Sequence, residues 1–214
     1  MFSFESLVTL TAFLLSRFRQ DVNMGGVPFY NPTLAGGSML DDAGDGFGEP
    51  LNVIISGLSS PGVLTGDGIV NYARAIGFSE ECFGLHLGGL MSANLGDGKD
   101  NSGIGTCLES LVGGNHFRVF PQNGASANSG ALFLAVSQEE PATEHHDIVP
   151  DGYNIGRNNL VAAAVGETSF DGIIYYTTAE NVTGLLLPGS EHVNHGIAQD
   201  GVVTLLTVAI KDSP

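Results

Sequence analysis

His116 and Arg118 stand two residues apart in the run Asn115-His116-Phe117-Arg118-Val119-Phe120. On an extended backbone that spacing puts both side chains on one face and Phe117 and Val119 on the other. The chain has 7 Lys and Arg against 23 Asp and Glu, so cations are scarce. A paired imidazole and guanidinium then suggests a polar site for an anionic or carbonyl group. The competing reading is structural: Arg118 pairs with a neighbouring carboxylate and His116 bonds a loop carbonyl. A second polar segment, His145-His146-Asp147-Ile148-Val149-Pro150-Asp151, closes on Arg157. Adjacent histidines diverge on an extended chain, so at most one of them joins His116. A divalent ion could take His116, His146 and one of Asp97, Asp147 or Asp151 as imidazole and carboxylate donors, against the commoner reading of surface histidines in a polar loop. His192 and His195, at i and i+3, would suit a metal on a helix. Pro188-Gly189 before them and Gly196 after them predict a loop and a structural or solvated role instead.

Motifs for the common chemistries are missing. There is no G-x-S-x-G, no Walker A, no H-E-x-x-H and no dinucleotide-binding glycine run opening a helix. Ser56, Ser92 and Ser137 sit in no elbow context, so no triad is claimed. Asp41-Asp42-Ala43-Gly44-Asp45-Gly46 has the carboxylates and glycine of a calcium loop, but no Glu closes it at the EF-hand distance.

The elements that would position these groups can be read from pattern. Residues 51–56 are a short apolar run bounded by Pro50 and Gly57, hence a buried strand. Thr65 can cap a helix carrying Ile69, Tyr72, Ala73 and Ile76 at helical spacing, with Gly77 ending it. Residues 116–120 and 131–136 predict an antiparallel hairpin turning through 122–129. A helix is predicted over 157–165, and strands over 173–178 and 202–210. Residues 84–114 alternate Gly with polar residues and predict a long irregular loop with a share in function. The order favours an α+β fold: a mainly antiparallel sheet, helices packed on one face, and Gly-rich loops. Residues 53–55, Phe117, Val119, Phe133, Leu134, Val161 and 205–208 are expected to form one core.

The segments Pro50-Leu51-Asn52-Val53-Ile54-Ile55-Ser56-Gly57, Asn115 to Phe120, and His145 to Asp151 with Arg157 resemble, in order and wording, the C-terminal domain of the LssY family. The resemblance covers roughly residues 48–210. It implies that His116, Arg118, His146 and Arg157 share a site. A paired His and Arg in so acidic a chain should also draw a carboxylate, Asp151 or Asp97, into contact. The resemblance picks His146 from its pair through the arrangement His146-Asp147-Ile148. The chain departs from the pattern in one inserted residue before Arg157 and in Gly156, where the family tends to have an acid. The resemblance further implies a secreted, stand-alone version without that family's membrane-embedded portion. It implies a fold and a site, but no reaction.

Charge narrows the partners. A formal net charge of -16 with no basic cluster excludes nucleic-acid binding and disfavours an anionic membrane surface. With 43% hydrophobic residues the chain is globular, and its 31 glycines demand many tight turns. Residues 7–15 are apolar and free of charge, too short to span a bilayer and suited to a signal peptide, with Arg17 and Arg19 after them. Residues 1–20 are therefore expected to be a signal peptide or leader, 21–49 a Gly/Asp-rich arm, and 50–214 a single domain with no integral membrane segment. Secretion would favour a Cys82–Cys107 disulfide closing a loop of about 25 residues, the alternative being two buried thiols. Asn181-Val182-Thr183 is an N-glycosylation acceptor. The resulting expectation is an extracellular binding or surface module for a small polar or carbohydrate ligand, with no cofactor. The alternative is a hydrolase-like enzyme, metal-assisted or not, using His116, His146, Asp151 and Arg118.

Overall fold

The computed structural model describes residues 26–80, 95–96, 114–145 and 147–211. Cys82, Cys107, Asp97 and His146 lie outside the described residues, as do the expected leader and most of the 84–114 segment. Nine strands and two α-helices follow one another among the described residues. They are β1 (Leu40–Gly44), β2 (Phe47–Ile55), α1 (Gly66–Ala75), β3 (Ser79–Glu80), β4 (Leu95–Gly96), β5 (Gly114–Gly124), β6 (Ala127–Glu139), α2 (Gly152–Ala164), β7 (Gly166–Phe170), β8 (Ile173–Thr183) and β9 (Val202–Lys211). The strands form one mixed sheet in the order β3-β4-β5-β6-β2-β9-β8-β7, with β1 paired to β2. The β2–β9 pair is parallel and the other pairs are antiparallel. The fold is thus α+β with a mostly antiparallel sheet.

Thr65 caps α1 as its position predicts, its hydroxyl accepting from the Gly68 N–H at 3.0 Å. Gly77, at φ 90°, follows the helix end in the left-handed region. The β5–β6 hairpin is longer than its apolar centre because polar residues extend both strands to Gly114 and Glu139. α2 begins five residues before Arg157. Its N-cap Asp151 is left-handed at φ 63°, and two glycines open its path onto β6. A Cβ on Gly156 would come within 2.7 Å of Ser137 Cα, and one on Gly152 within 2.8 Å of the Gln138 carbonyl. Helix and strand therefore approach too closely for any side chain at these positions.

Two expectations are corrected. Residues 40–49 are not loop: β1 and the start of β2 form a hairpin through Asp45 and Gly46, both at positive φ. The Asp and Gly spacing that looked like solvated punctuation is turn chemistry inside a strand pair. The apolar residues also do not form one core. Val53, Ile55, Phe117, Val119, Leu134, Leu206 and Val208 cluster with residues of both helices. Ile54, Phe133 and Leu205 join Leu51, Met39 and Leu186 in a second cluster. Successive strand residues point to opposite faces, so a continuous apolar run such as Val53-Ile54-Ile55 must feed both. No helix among the described residues is long and apolar enough to cross a membrane.

Candidate functional site

Strand alternation places His116 and Arg118 on the same face of β5. Phe117 and Val119 are buried on the other, as their spacing predicts. Ala135 of β6 lies directly opposite Arg118, and its small side chain leaves the guanidinium room to extend across the sheet. There the guanidinium meets the β1–β2 hairpin. Arg118 Nη2 forms an ion pair with Glu49 and a second with Asp41 at 3.3 Å. Ser137 is opposite His116, and Glu139, two residues along on the same face, reaches it diagonally. His116 Nδ1 lies 2.8 Å from Glu139 Oε1. All five carboxylate and basic side chains of these two groups are less than one-fifth exposed.

Glu49, His116, Arg118 and Glu139 line one side of a cleft of about 300 Å³. The other side comes from two loops: His145, Asp147 and Ile148 before α2, and Asn194 and His195 after β8. His195 Nδ1 stands 4.0 Å from Asp147 Oδ1. His145 and His195 both hold left-handed backbone conformations, at φ 64° and 59°. That region is sparsely populated by residues with a Cβ and is concentrated at functional sites. Tyr153 of α2 is buried nearby, its hydroxyl reaching the Asn194 carbonyl at 3.4 Å. Burial pushes the Tyr153 phenol well up, against the pull of Arg118 and with the help of Glu139. Burial also raises Asp41, opposed by Arg118. Beside the cleft one guanidinium, that of Arg118, is shared by two carboxylates, Glu49 and Asp41.

The residues expected to converge do so only in part. His116, Arg118 and Asp147 share the cleft. Asp151 does not contact His116 or Arg118. It stands at the start of α2 and accepts from Asn154 Nδ2 at 2.6 Å. Among the described residues, the carboxylates paired with Arg118 and His116 are Glu49, Asp41 and Glu139, carried by the β1–β2 hairpin and the end of β6. Arg157 serves another purpose. It is buried, and its guanidinium takes Asp200 in a bidentate pair at 2.6 and 2.8 Å. It also donates to the Val202 carbonyl at 2.9 Å and to Asn158. That fork ties α2 to the start of β9. The structural alternative for Arg118, a neighbouring carboxylate, is what the structure shows, and His116 meets a carboxylate as well.

Three cleft residues escaped the sequence reading, and a fourth was given another role. Glu49 lay in the stretch read as a Gly/Asp-rich arm, Glu139 just beyond the apolar part of β6, and Asn194 in a loop distant along the chain. His195, weighed with His192 and read as structural or solvated, lines the cleft. A signal for Glu139 was available, since strand alternation carries it to the same face as Ser137. Nothing in local pattern ties His195 to His116. Among the described residues no group of three or more His, Cys, Asp or Glu is arranged to hold a metal ion. No family model, curated protein or solved structure matches the chain.

Proposed function

We propose that the cleft binds a small, neutral, polyhydroxylated ligand of the carbohydrate class, and that the protein acts as an extracellular binding module. The observation that carries this is the bracketing of Arg118 by Asp41 and Glu49. An anion would have to displace a carboxylate from the guanidinium and then face Glu139 and Asp147. A hydroxyl instead finds carboxylates and imidazoles among the residues that line the cleft. A volume of about 300 Å³ suits one or two sugar rings at the lower limit of ordinary ligand pockets. The left-handed His145 and His195 support a ligand-facing role for both loops.

The same reading takes the chain as an LssY C-terminal-like domain, with export, a Cys82–Cys107 disulfide and an Asn181 glycan as its companions. Exposure of Asn181 on β8 supports access for the glycan. Packing of both helices on one face is supported by the common cluster that their buried residues share.

Titration calorimetry with neutral monosaccharides, disaccharides and sugar phosphates tests the ligand class. Neutral sugars should bind, and Glu139→Gln should weaken them about tenfold, the loss of one charge-assisted bond. Tighter binding of sugar phosphates, or indifference to Glu139→Gln, would defeat the reading. The hydrolase alternative has its own signature: a thermal shift with zinc, manganese or calcium that chelator reverses.

A further inference from the structure

The register of β8 leaves half of it without a neighbour. β7 covers residues 173–177, while β9 runs along the full length of the other side to Thr183. Among the described residues, no strand pairs with the outer edge of residues 178–183. Five of these six residues are exposed. Natural sheets guard such edges with charged side chains, lysine above all, with proline or with a bulge. The run Thr178-Ala179-Glu180-Asn181-Val182-Thr183 carries one charge, Glu180, and no lysine, proline or bulge.

The direction of its hydrogen-bonding groups follows from the hairpin. Phe170 and Ile173 flank a two-residue turn, Asp171-Gly172, with φ of 49° and 77°. Such a turn makes the flanking residues a hydrogen-bonded pair. Ile173, Tyr175 and Thr177 therefore aim their N–H and C=O at β7, and strand alternation continues this outward set to Ala179, Asn181 and Thr183. No bulge interrupts the register on either side.

We infer that this edge pairs with the same edge of a second copy of the chain, antiparallel, about a two-fold axis at Asn181. An antiparallel two-fold must set one residue opposite itself. With Asn181 on the axis, Ala179 faces the partner's Thr183, and all three outward residues exchange both bonds. Glu180 then lies opposite the partner's Val182. Centring on Glu180 would engage only Ala179 and Asn181 and would set two carboxylates face to face in the closer, non-hydrogen-bonded position. Hydrogen-bond count and charge thus select one register. Thr204 holds the Asn181 Oδ1 from its own sheet at 3.2 Å, fixing the amide that sits on the axis. In that pair the two Asn181 Cα atoms stand about 5.5 Å apart with their side chains on one face, leaving no room for a glycan on each. Glycosylation and pairing at this edge therefore exclude each other.

Sedimentation equilibrium of the full, unglycosylated chain tests the inference. Concentration-dependent dimer is expected. Asn181→Lys and Asn181→Asp should each weaken it more than tenfold by setting like charges across the axis. Asn181 is exposed, so melting temperatures of the variants serve as the folding control. An equimolar mixture of the two variants should restore a heterodimer. A monomer at every concentration would overturn the inference. So would a dimer unmoved by both substitutions, or one in which both copies carry a glycan at Asn181.

Discussion

At the scale of single residues, the most consequential assignment is Arg157, whose guanidinium is buried against Asp200 and not turned to the cleft. Burying a guanidinium is costly unless its donors are met, and here Asp200, Asn158 and the Val202 carbonyl meet them. Asp200→Ala strands that charge and should cost about 3 kcal/mol. Arg157→Met leaves Asp200, whose side chain is 41% exposed, free to turn to water, so about 2 kcal/mol is expected. Urea unfolding of both variants checks the order. The Arg157 bond holds the Asp200 carboxyl below its usual range. Its contribution is therefore fully present above the unfolded carboxylate pKa and lost as pH falls through the depressed folded value. Asp41 runs the other way. Burial raises it, so what its protonated form contributes is present below the unfolded pKa and lost as pH rises through the raised one. The wild-type advantage over Asp200→Ala should accordingly vanish in strong acid, while Asp41→Asn should gain on wild type from acid toward neutrality.

At the scale of elements, the join between β2, β6 and α2 rests on one buried amide. The β2–β6 register slips between Leu51 and Val53, and Asn52 fills the slip. Its Nδ2 donates to the Val136 and Tyr153 carbonyls, both at 2.9 Å, and its Oδ1 accepts from the Val136 N–H at 3.1 Å. This one side chain satisfies a bulge and positions the first turn of α2, where Tyr153 underlies the cleft. Asn52→Ala abandons three buried polar groups and should cost about 3 kcal/mol or more. Asn52→Asp, which cannot donate to the carbonyls, should rescue little. Chemical unfolding with tyrosine fluorescence would follow both. Equal stability of Asn52→Ala and wild type would show that water replaces the amide.

At the scale of the whole molecule, charge opposes compactness. A net charge of -16 on a chain with 14% charged residues means that most carboxylates have no cation to meet. Lys211 with Glu167 at 2.7 Å is an exposed exception of small value. Monovalent salt should therefore raise the melting temperature steadily from low ionic strength, through screening of self-repulsion. A melting temperature that falls with salt would mean that the Arg118 and Arg157 pairs outweigh the repulsion. Screening should favour β8 self-pairing too, since it brings two acidic bodies together.

Much of the architecture was readable from local pattern because its causes are local. The alternation in His116–Phe120 settles which side chains share a face, Thr65 and Gly77 bound α1 by their own chemistry, and apolar runs mark β2, β6 and β9. An acidic, cation-poor composition likewise decides the chain's electrostatic character without any fold. Tertiary structure alone decided the partners. Glu49 and Asp41 reach Arg118 only because a β-hairpin folds beside β5, and His195 reaches the cleft only because its loop returns after β8. Arg157 looked equivalent to Arg118 as a rare cation, yet the helix that carries it turns it toward β9. Side-chain direction follows from backbone periodicity, which a sequence displays. Which carboxylate stands opposite depends on strand order and loop return, which join residues distant along the chain and leave no local trace.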